Sequence, residues 1–545
     1  MQFYRLLDAL RAFVAARSGA FYVRCYFAAL LLLGLCLYRD YGLSWDEPVD
    51  RINGQVSAKY IMGLVAPGWS STRPGYAITP DIHGFGDNDH GVLFELPLVL
   101  LNQISGIDDT RIYYLMRHLA VFLVCCVGTW ALFKIGRVRF QKTSIGLAVS
   151  TLLLLSPRFF AESFYNGKDL VFVAVFTLGI YTLVRLLRRP SVGRAAVHGL
   201  ATAAAIDIRV LGVLLVALTI GMLVLEAGFG TGGRPLRWKL AQVVTVYLVV
   251  TAVATVAGWP YLWEAPVQNF SAAFLHLSQY AVWKGYALYW GNVIPVKQLP
   301  WHYVPVWIFI TTPLAYSFAF VLGAASVLFA AIRRPWAYLR HFENRLDLLF
   351  HAWFFVPIFM VIGFHSVLYD GWRHLYFVYP ALLLLAVRGA QGLWQARHLY
   401  RWGRPLAVGA AVLAAGEMVF TVRGMVQAHP QQQVYFSFLP GPAVAQLFER
   451  DYWGLSYREG LEWIAQHDTS PQLNVTGQIN GLIHNNLTIM KPAVRARFRI
   501  GGSGKGQYFL GGYRTQPTPY PDSLGKEVHV VKAFGAEVLS VRYKE

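Results

Sequence analysis

Apolar stretches close to the roughly 20 residues that span a bilayer recur along the first 420 positions and then stop. They fall at about 21–38, 115–134, 143–157, 170–187, 195–208, 210–226, 238–258, 304–332, 347–367, 374–390 and 405–421. This pattern predicts a mainly α polytopic membrane protein of about 11 transmembrane helices, with 195–208 and 210–226 as a tight hairpin around Asp207 and Arg209. The polar intervals alternate in kind. The N-terminus, 134–142, 185–194, 232–239, 332–345 and 388–404 are rich in Arg and Lys, which marks them as cytoplasmic. The loops 39–114, 158–169, 207–209, 259–303 and 366–373 are then extracytoplasmic. An odd number of spans puts everything after 421 on that side too. The first apolar run follows an arginine-bearing segment with no short h-region, so it reads as a retained signal anchor.

After residue 421 the pattern changes. "YREGLEWIAQH" (457–467) has helical periodicity. "QLNVTGQI", "GQYFLGGY" and "EVHVVKAFGAEVLSVRY" alternate like strands, the last with a turn at Phe534–Gly535. The chain therefore divides into a membrane domain, 1–421, with a large first outer loop, and a small extracytoplasmic α/β domain, 422–545.

Composition supports this division. Of 545 residues, 56% are hydrophobic and 14% charged, well short of the quarter usual in soluble proteins. The net charge of +19 would suit nucleic acid or a membrane surface, and its placement in short runs between apolar stretches selects the membrane. Cys25, Cys36, Cys125 and Cys126 all lie in apolar runs, which argues against a disulfide framework or a metal cluster.

The uncommon polar residues collect on the predicted outer side. The first loop carries "YGLSWDEPVD", with Asp46 and Glu47, and then "DIHGFGDNDHGVLFELP", with Asp81, Asp87, Asp89, His90 and Glu95. The second, "SPRFFAESFYNGKDL", offers Arg158, Glu162, Asn166, Lys168 and Asp169. Asp207 and Arg209 follow, then Asp370, Arg373 and His374 in "YDGWRHLYFVYP". Ionisable groups at the edge of a span are costly and usually functional. Arg and Lys there suit a phosphate. Carboxylates at the same level suit proton abstraction or a divalent cation. The aromatic loop 259–303 suits a sugar face or a lipid interface. Each feature has a plainer reading. The Asp46–Glu47 pair reads equally as a cap for a helix over about 49–64, Lys168–Asp169 as an interfacial ion pair, Arg373 as a snorkelling residue, and Asp207–Arg209 as a hairpin salt bridge. Asp81, Asp87 and Asp89 read as a solvated turn. "NVT" at Asn474 and "NLT" at Asn486 arise readily by chance. "GGSGKG" (501–506) lacks P-loop spacing and reads as a flexible loop.

The order of "WDEP", "SPRFFAESFYNGKD" and "GWRHLYFVYP", with "LPWHYVPVWIFITTPL" (299–314) and "HPQQQVYFSFLPGP" from His429, resembles the GT-C superfamily of membrane glycosyltransferases. It is similar to the glycosyltransferase 39-like branch, related to protein O-mannosyltransferases and lipid A aminoarabinose transferases. Gln431, Ser437, Gly91 and Val92 depart from the family's usual forms. The resemblance covers about residues 20–465. It implies a hexosyl or pentosyl transferase of the bacterial inner membrane, using a polyprenyl-phosphate sugar and an unidentified protein, lipid or glycan acceptor, with no nucleic-acid partner. It implies Asp46 as general base beside the acceptor, with Glu47 next to it. A second acid falls on Glu162 or Asp169. Lys168, Arg209, Arg373, His374 and His90 are the candidates for substrate and phosphate. Cofactors are open; a divalent cation, if any, would fall to Asp46 and Glu47. A transporter or flippase predicts mid-span charges and inverted repeats, of which the sequence shows little, and a nonenzymatic assembly subunit is a third reading.

Overall fold

The computed structural model describes residues 19–72, 75–230, 233–279, 284–501 and 506–545. The basic N-terminus before residue 19 and the centre of the "GGSGKG" loop lie outside the described residues. The chain is mainly helical, with a small sheet near its C-terminus. Among the described residues nine helices are long and apolar enough to cross a membrane: Gly19–Leu37, Thr110–Phe140, Asp169–Arg188, Val210–Phe229, Lys239–Gly258, Leu314–Arg333, Phe342–Gly363, Arg373–Ala396 and Gly403–Gln427. This is a multi-pass membrane protein. The exact count of eleven is not confirmed among the described residues. The stretches at 143–157 and 195–208 are helices of 12 and 17 residues, Thr143–Leu154 and Val192–Ile208. At 1.5 Å per residue they run about 18 and 26 Å, short of the roughly 30 Å hydrocarbon layer.

In chain order we label α1 Gly19–Leu37, α2 Glu47–Val65, α3 Glu95–Ser105, α4 Thr110–Phe140, α5 Thr143–Leu154, α6 Pro157–Glu162, α7 Asp169–Arg188, α8 Val192–Ile208, α9 Leu214–Phe229, α10 Gly233–Gly258, α11 Tyr303–Thr311, α12 Leu314–Arg333, α13 Phe342–Gly363, α14 Tyr379–Ala396, α15 Gly403–Gln427, α16 Ser456–His467 and α17 Asn480–Ile489. The span expected over 304–332 is broken between α11 and α12. Pro313 lacks an N–H and stops the first helix. Glu417 of α15 then caps the second, accepting from the amides of Leu314 (2.5 Å) and Ala315 (2.7 Å). A carboxylate inside a membrane helix thus offsets the positive end of another.

α7 packs between α4 and α8, and α14 packs on α12. That second crossing is close. A Cβ on Gly323 would lie 1.9 Å from the carbonyl of Leu385, and one on Gly389 2.0 Å from that of Ala319, so small residues set the approach. At the basic-loop end of the bundle Arg139 grips Asp347 with two hydrogen bonds of 2.5 Å, and Arg345 meets Glu226 at 2.9 Å.

Toward the C-terminus five strands form one sheet in the order β4-β3-β5-β7-β6. They are β3 Leu473–Gly477, β4 Phe498–Ile500, β5 Gln507–Gly512, β6 Lys526–Ala533 and β7 Ala536–Lys544. β3 runs parallel to β4 and β5, and β7 antiparallel to β5 and β6. The β6–β7 turn uses Phe534 (φ 48°) and Gly535 (φ 79°), the two left-handed residues of a type I′ hairpin. Leu461 and Ile464 of α16 and Ile483 of α17 join Val475, Leu510 and Val541 in the core under the sheet. A second hairpin, β1 Tyr286–Tyr289 with β2 Asn292–Pro295, lies in the aromatic loop, where the sequence pattern had given no strand.

The first loop is clamped to this C-terminal part. Asn486 accepts from the Leu43 amide (2.9 Å) and donates to the carbonyls of Leu43 (3.2 Å) and Gly454 (3.1 Å). Arg458 donates to the carbonyls of Arg39 and Tyr41, each at 2.7 Å. The Trp45 amide donates to the Trp453 carbonyl at 3.1 Å. The clamp holds the segment immediately before Asp46.

Candidate functional site

Asp46 occupies the N-cap position of α2, yet its side chain caps nothing. The capping alternative therefore does not explain it. The carboxylate, 28% exposed, turns instead to Arg373, whose Nη1 stands 2.8 Å away. The same Nη1 lies 3.3 Å from Asp169 at the start of α7, and Nη2 lies 3.5 Å from Asp370. Arg209, in the turn after α8, pairs with the other oxygen of Asp169. Burial pushes the Asp46 carboxyl up, but Arg373, Lys168 and Arg209 together outweigh it and hold it below its ordinary value. Asp46 is thus ionised at neutral pH and open to a ligand, among cations drawn from three separate segments.

Glu47, one residue on, points the other way. It is fully buried. One oxygen accepts from the Ser44 amide at 2.8 Å; the other meets Arg117 Nη1 and His118 Nε2, both at 3.0 Å. Arg117 has no exposed surface and also contacts Asp50 (3.0 Å) and Glu95 (2.6 Å). Three carboxylates thus surround one guanidinium. Burial raises Glu47, and His118 and Arg117 bring it down below its ordinary value. Glu95 stays raised, because burial and the neighbouring Asp50 and Glu47 charges outweigh Arg117. Lys168 joins the two networks, with Nζ 3.3 Å from Asp50. Its ammonium is held well above the ordinary lysine range: burial lowers it, and Asp50, Asp87 and Asp46 more than reverse that.

The two candidates for a second acid separate clearly. Glu162 is fully buried, accepts from Asn166 (2.7 Å), Tyr376 (2.9 Å) and Tyr452 (3.1 Å), and is pushed up to about 7, chiefly by burial. Asp169 shares Asn166 with it (3.1 Å) but faces Arg373 and Arg209. The structure therefore brings Asp169 to Asp46 and leaves Glu162 behind a tyrosine wall. His374 packs edge-on against Tyr369, and its Nδ1 has no hydrogen-bond partner among the described residues.

His90 lines a small cleft together with Asp50, Asn53, Phe94, Glu95 and Lys168. Beside it Asp89 is buried, not solvated as its turn-rich sequence suggested. Its Oδ1 stands 2.9 Å from His90 Nδ1, and its other oxygen meets His276. Asp87, Asp89 and His90 bring ligand atoms within 4.8 Å of one another, a grouping with the chemistry to hold a cation. Asp46 and Glu47 form no such pair, since both Glu47 oxygens are committed to Arg117, His118 and the Ser44 amide. Gly91 has its own reason for departing from the family form: a Cβ there would lie 1.9 Å from the Asp207 carbonyl, so the loop closes on the hairpin only with glycine.

The sequence reading did not single out Arg117, His118, Asp50, Glu449 or Arg514. Arg117 and His118 had a signal, since "LMRHLAV" places two ionisable residues inside an apolar run. Asp50, Glu449 and Arg514 had none, because they meet their partners across long stretches of chain.

Residues 89–259 match the family model described as dolichyl-phosphate-mannose-protein mannosyltransferase. The resemblance to membrane glycosyltransferases drawn from the motifs is met there. No curated protein matches the chain. Among solved structures it is similar to apo ArnT from Cupriavidus metallidurans, at 14% identity and a TM-score of 0.47, covering 96% of this chain and 98% of that one. The same enzyme bound to undecaprenyl phosphate matches at 15% identity and a TM-score of 0.46, with the same coverage. The apo oligosaccharyltransferase of Archaeoglobus fulgidus matches at 10% identity and a TM-score of 0.45, over 87% of this chain and 64% of that one.

Proposed function

We propose that this protein is a glycosyltransferase that moves a sugar from a polyprenyl-phosphate carrier to an acceptor at the outer surface of a bacterial inner membrane. The observation that carries the reading is the disposition of Asp46: an ionised, ligand-accessible carboxylate among Arg373, Arg209 and Lys168. The family match over 89–259 supports sugar-phosphate chemistry on this scaffold.

In this reading Asp46 accepts the proton of the acceptor hydroxyl or amine as that atom attacks the anomeric carbon. The bond from that carbon to the phosphate oxygen breaks, and the lipid phosphate leaves carrying the electron pair. Lys168 and Arg209 stabilise the charge that develops on it, as preorganised cations do. Arg373 and Asp169 hold the geometry between base and phosphate. A single displacement inverts the anomeric centre. The membrane part, 1–421, supplies these groups, and 422–545 closes over them from the outside.

The test is membranes containing the full chain, supplied with polyprenyl-phosphate sugars and followed for release of the polyprenyl phosphate. Release, with a product of inverted anomeric configuration by NMR, supports the reading. No consumption of any such donor contradicts it.

A further inference from the structure

The C-terminal sheet does more than cover the site. Arg514 follows β5, and its Nη2 donates to Asp370 Oδ1 across 144 positions of chain. Asp370 Oδ2 faces Arg373 Nη2 at 3.5 Å, and Arg373 Nη1 reaches Asp46 at 2.8 Å. The result is an unbroken alternation of charge, Arg514 to Asp370 to Arg373 to Asp46, from the sheet to the predicted outer loop. Three further features show that its middle is held in place. Asp370 has φ 56°, a left-handed backbone unusual for a residue with a side chain. The Gly371 amide donates to the Tyr303 hydroxyl at 3.0 Å. The Arg373 guanidinium stacks over Trp453, 4.6 Å from the ring centroid, so a second group from beyond residue 421 forms its wall.

We propose that Arg514 is a positioning residue: it anchors Asp370, and through Asp370 fixes the Arg373 guanidinium against Asp46. The proposal rests on the reading of Asp46 as the base. The argument is one of competition. Asp370 is buried between two guanidiniums, with Glu449, itself buried, also facing it. Glu449 offers Asp370 no positive charge. If Arg514 is removed, Arg373 is the one cation left in ion-pair range of Asp370 among the described residues. Closing the 3.5 Å gap takes a movement of under an ångström. Leaving a buried carboxylate without a close partner is far more costly. Arg373 then moves toward Asp370 and away from Asp46. The groups still facing Asp46 are Lys168 and Arg209, with Asp370 repelling it.

Arg514→Met in the full chain is expected to lower kcat roughly 10- to 100-fold, as small misplacements at a reacting centre do, with the donor KM little changed. The acid limb of the pH–rate profile moves up by about half a unit or more, because Asp46 loses part of the charge that keeps it ionised. Arg514→Lys restores most of the rate. In an Asp370→Asn background, Arg514→Met has no further effect beyond about twofold, since the carboxylate that Arg514 anchors no longer pulls on Arg373. An acid limb that stays put or moves down overturns the proposal, as does a further tenfold loss in that background. Hydrogen exchange on the same proteins separates this from the reaction itself. Faster exchange at 42–47 and 366–373 in Arg514→Met supports the relay even if no donor is consumed. Unchanged exchange at both segments, with transfer intact in the wild type, overturns the relay and leaves the reaction standing.

Discussion

Asp46 and Glu47 adjoin in the chain and each faces a buried arginine, but the two arginines live in different surroundings. Arg117 is enclosed by Glu47, Asp50 and Glu95, with the Tyr165 carbonyl accepting at 2.9 Å. Every strong donor is used and no solvent reaches it. Arg373 also meets three carboxylates, yet one of them, Asp46, is 28% exposed, and Lys168 and Arg209 stand nearby with part of their own surface open. The first network is closed and the second has an open side. A closed network of buried charges fixes geometry, because removing any member leaves another charge stranded. An open one with partly exposed cations can receive an anion. The helix start between the two residues sends their side chains to different arginines, Glu47 into the closed network and Asp46 into the open one.

The sharpest way to break the comparison is at Arg117. Arg117→Met strands three carboxylates and is expected to destabilise by about 3–5 kcal/mol or more, read as loss of folded protein in detergent. Normal accumulation with normal thermal stability would deny the network its structural role. Next is Arg209→Met, on the open side. It is expected to raise the donor KM about tenfold or more, in line with loss of one charge-assisted contact, while the thermal midpoint moves little. A large stability loss with unchanged KM would make Arg209 part of the scaffold instead.

The smallest of these effects is a pH-dependent one at Glu449, beside the open network. Burial, with the nearby Asp370 charge, pushes this carboxyl up to about 8, against the opposing influence of Arg514. A raised carboxyl keeps its proton in the folded state after the unfolded chain has released it. Wild-type stability from this group is therefore full below the unfolded value near 4.5 and falls as pH rises toward 8. Glu449→Gln removes that loss. Its thermal midpoint is expected to equal wild type near pH 4.5 and to exceed it above pH 8. Equal midpoints at pH 5 and pH 9 would mean that Glu449 has a partner when ionised.

Much of this architecture was legible in the sequence because hydrophobic runs and period-two alternation report directly on burial. The helices around 21–38, 170–187 and 405–421 and the strands within "GQYFLGGY" and "EVHVVKAFGAEVLSVRY" stand where their patterns put them. Pattern alone could not see that Pro313 breaks a long apolar run, since the cap that makes the break tolerable comes from Glu417, about a hundred residues on. The site divides in the same way. Asp46, Asp169, Lys168, Arg209 and Arg373 announce themselves as charges at the ends of apolar runs. Asn486 looked like a chance acceptor triplet and proves to be the clamp on Leu43. Arg514 sits in an unremarkable loop, and only the folded chain brings it to Asp370. The direction of each member of the Asp46–Glu47 pair was likewise a property of the fold.

The central claim is that one member of that pair belongs to the reaction and the other to the scaffold. The direct measurement is the transfer rate and thermal midpoint of Asp46→Asn beside Glu47→Gln, both in the full chain with a polyprenyl-phosphate sugar. The account predicts that Asp46→Asn keeps a wild-type midpoint and loses transfer by about 10²- to 10⁴-fold, while Glu47→Gln lowers the midpoint and leaves the surviving folded protein active. Full transfer by Asp46→Asn, or a stable but inactive Glu47→Gln, would contradict it.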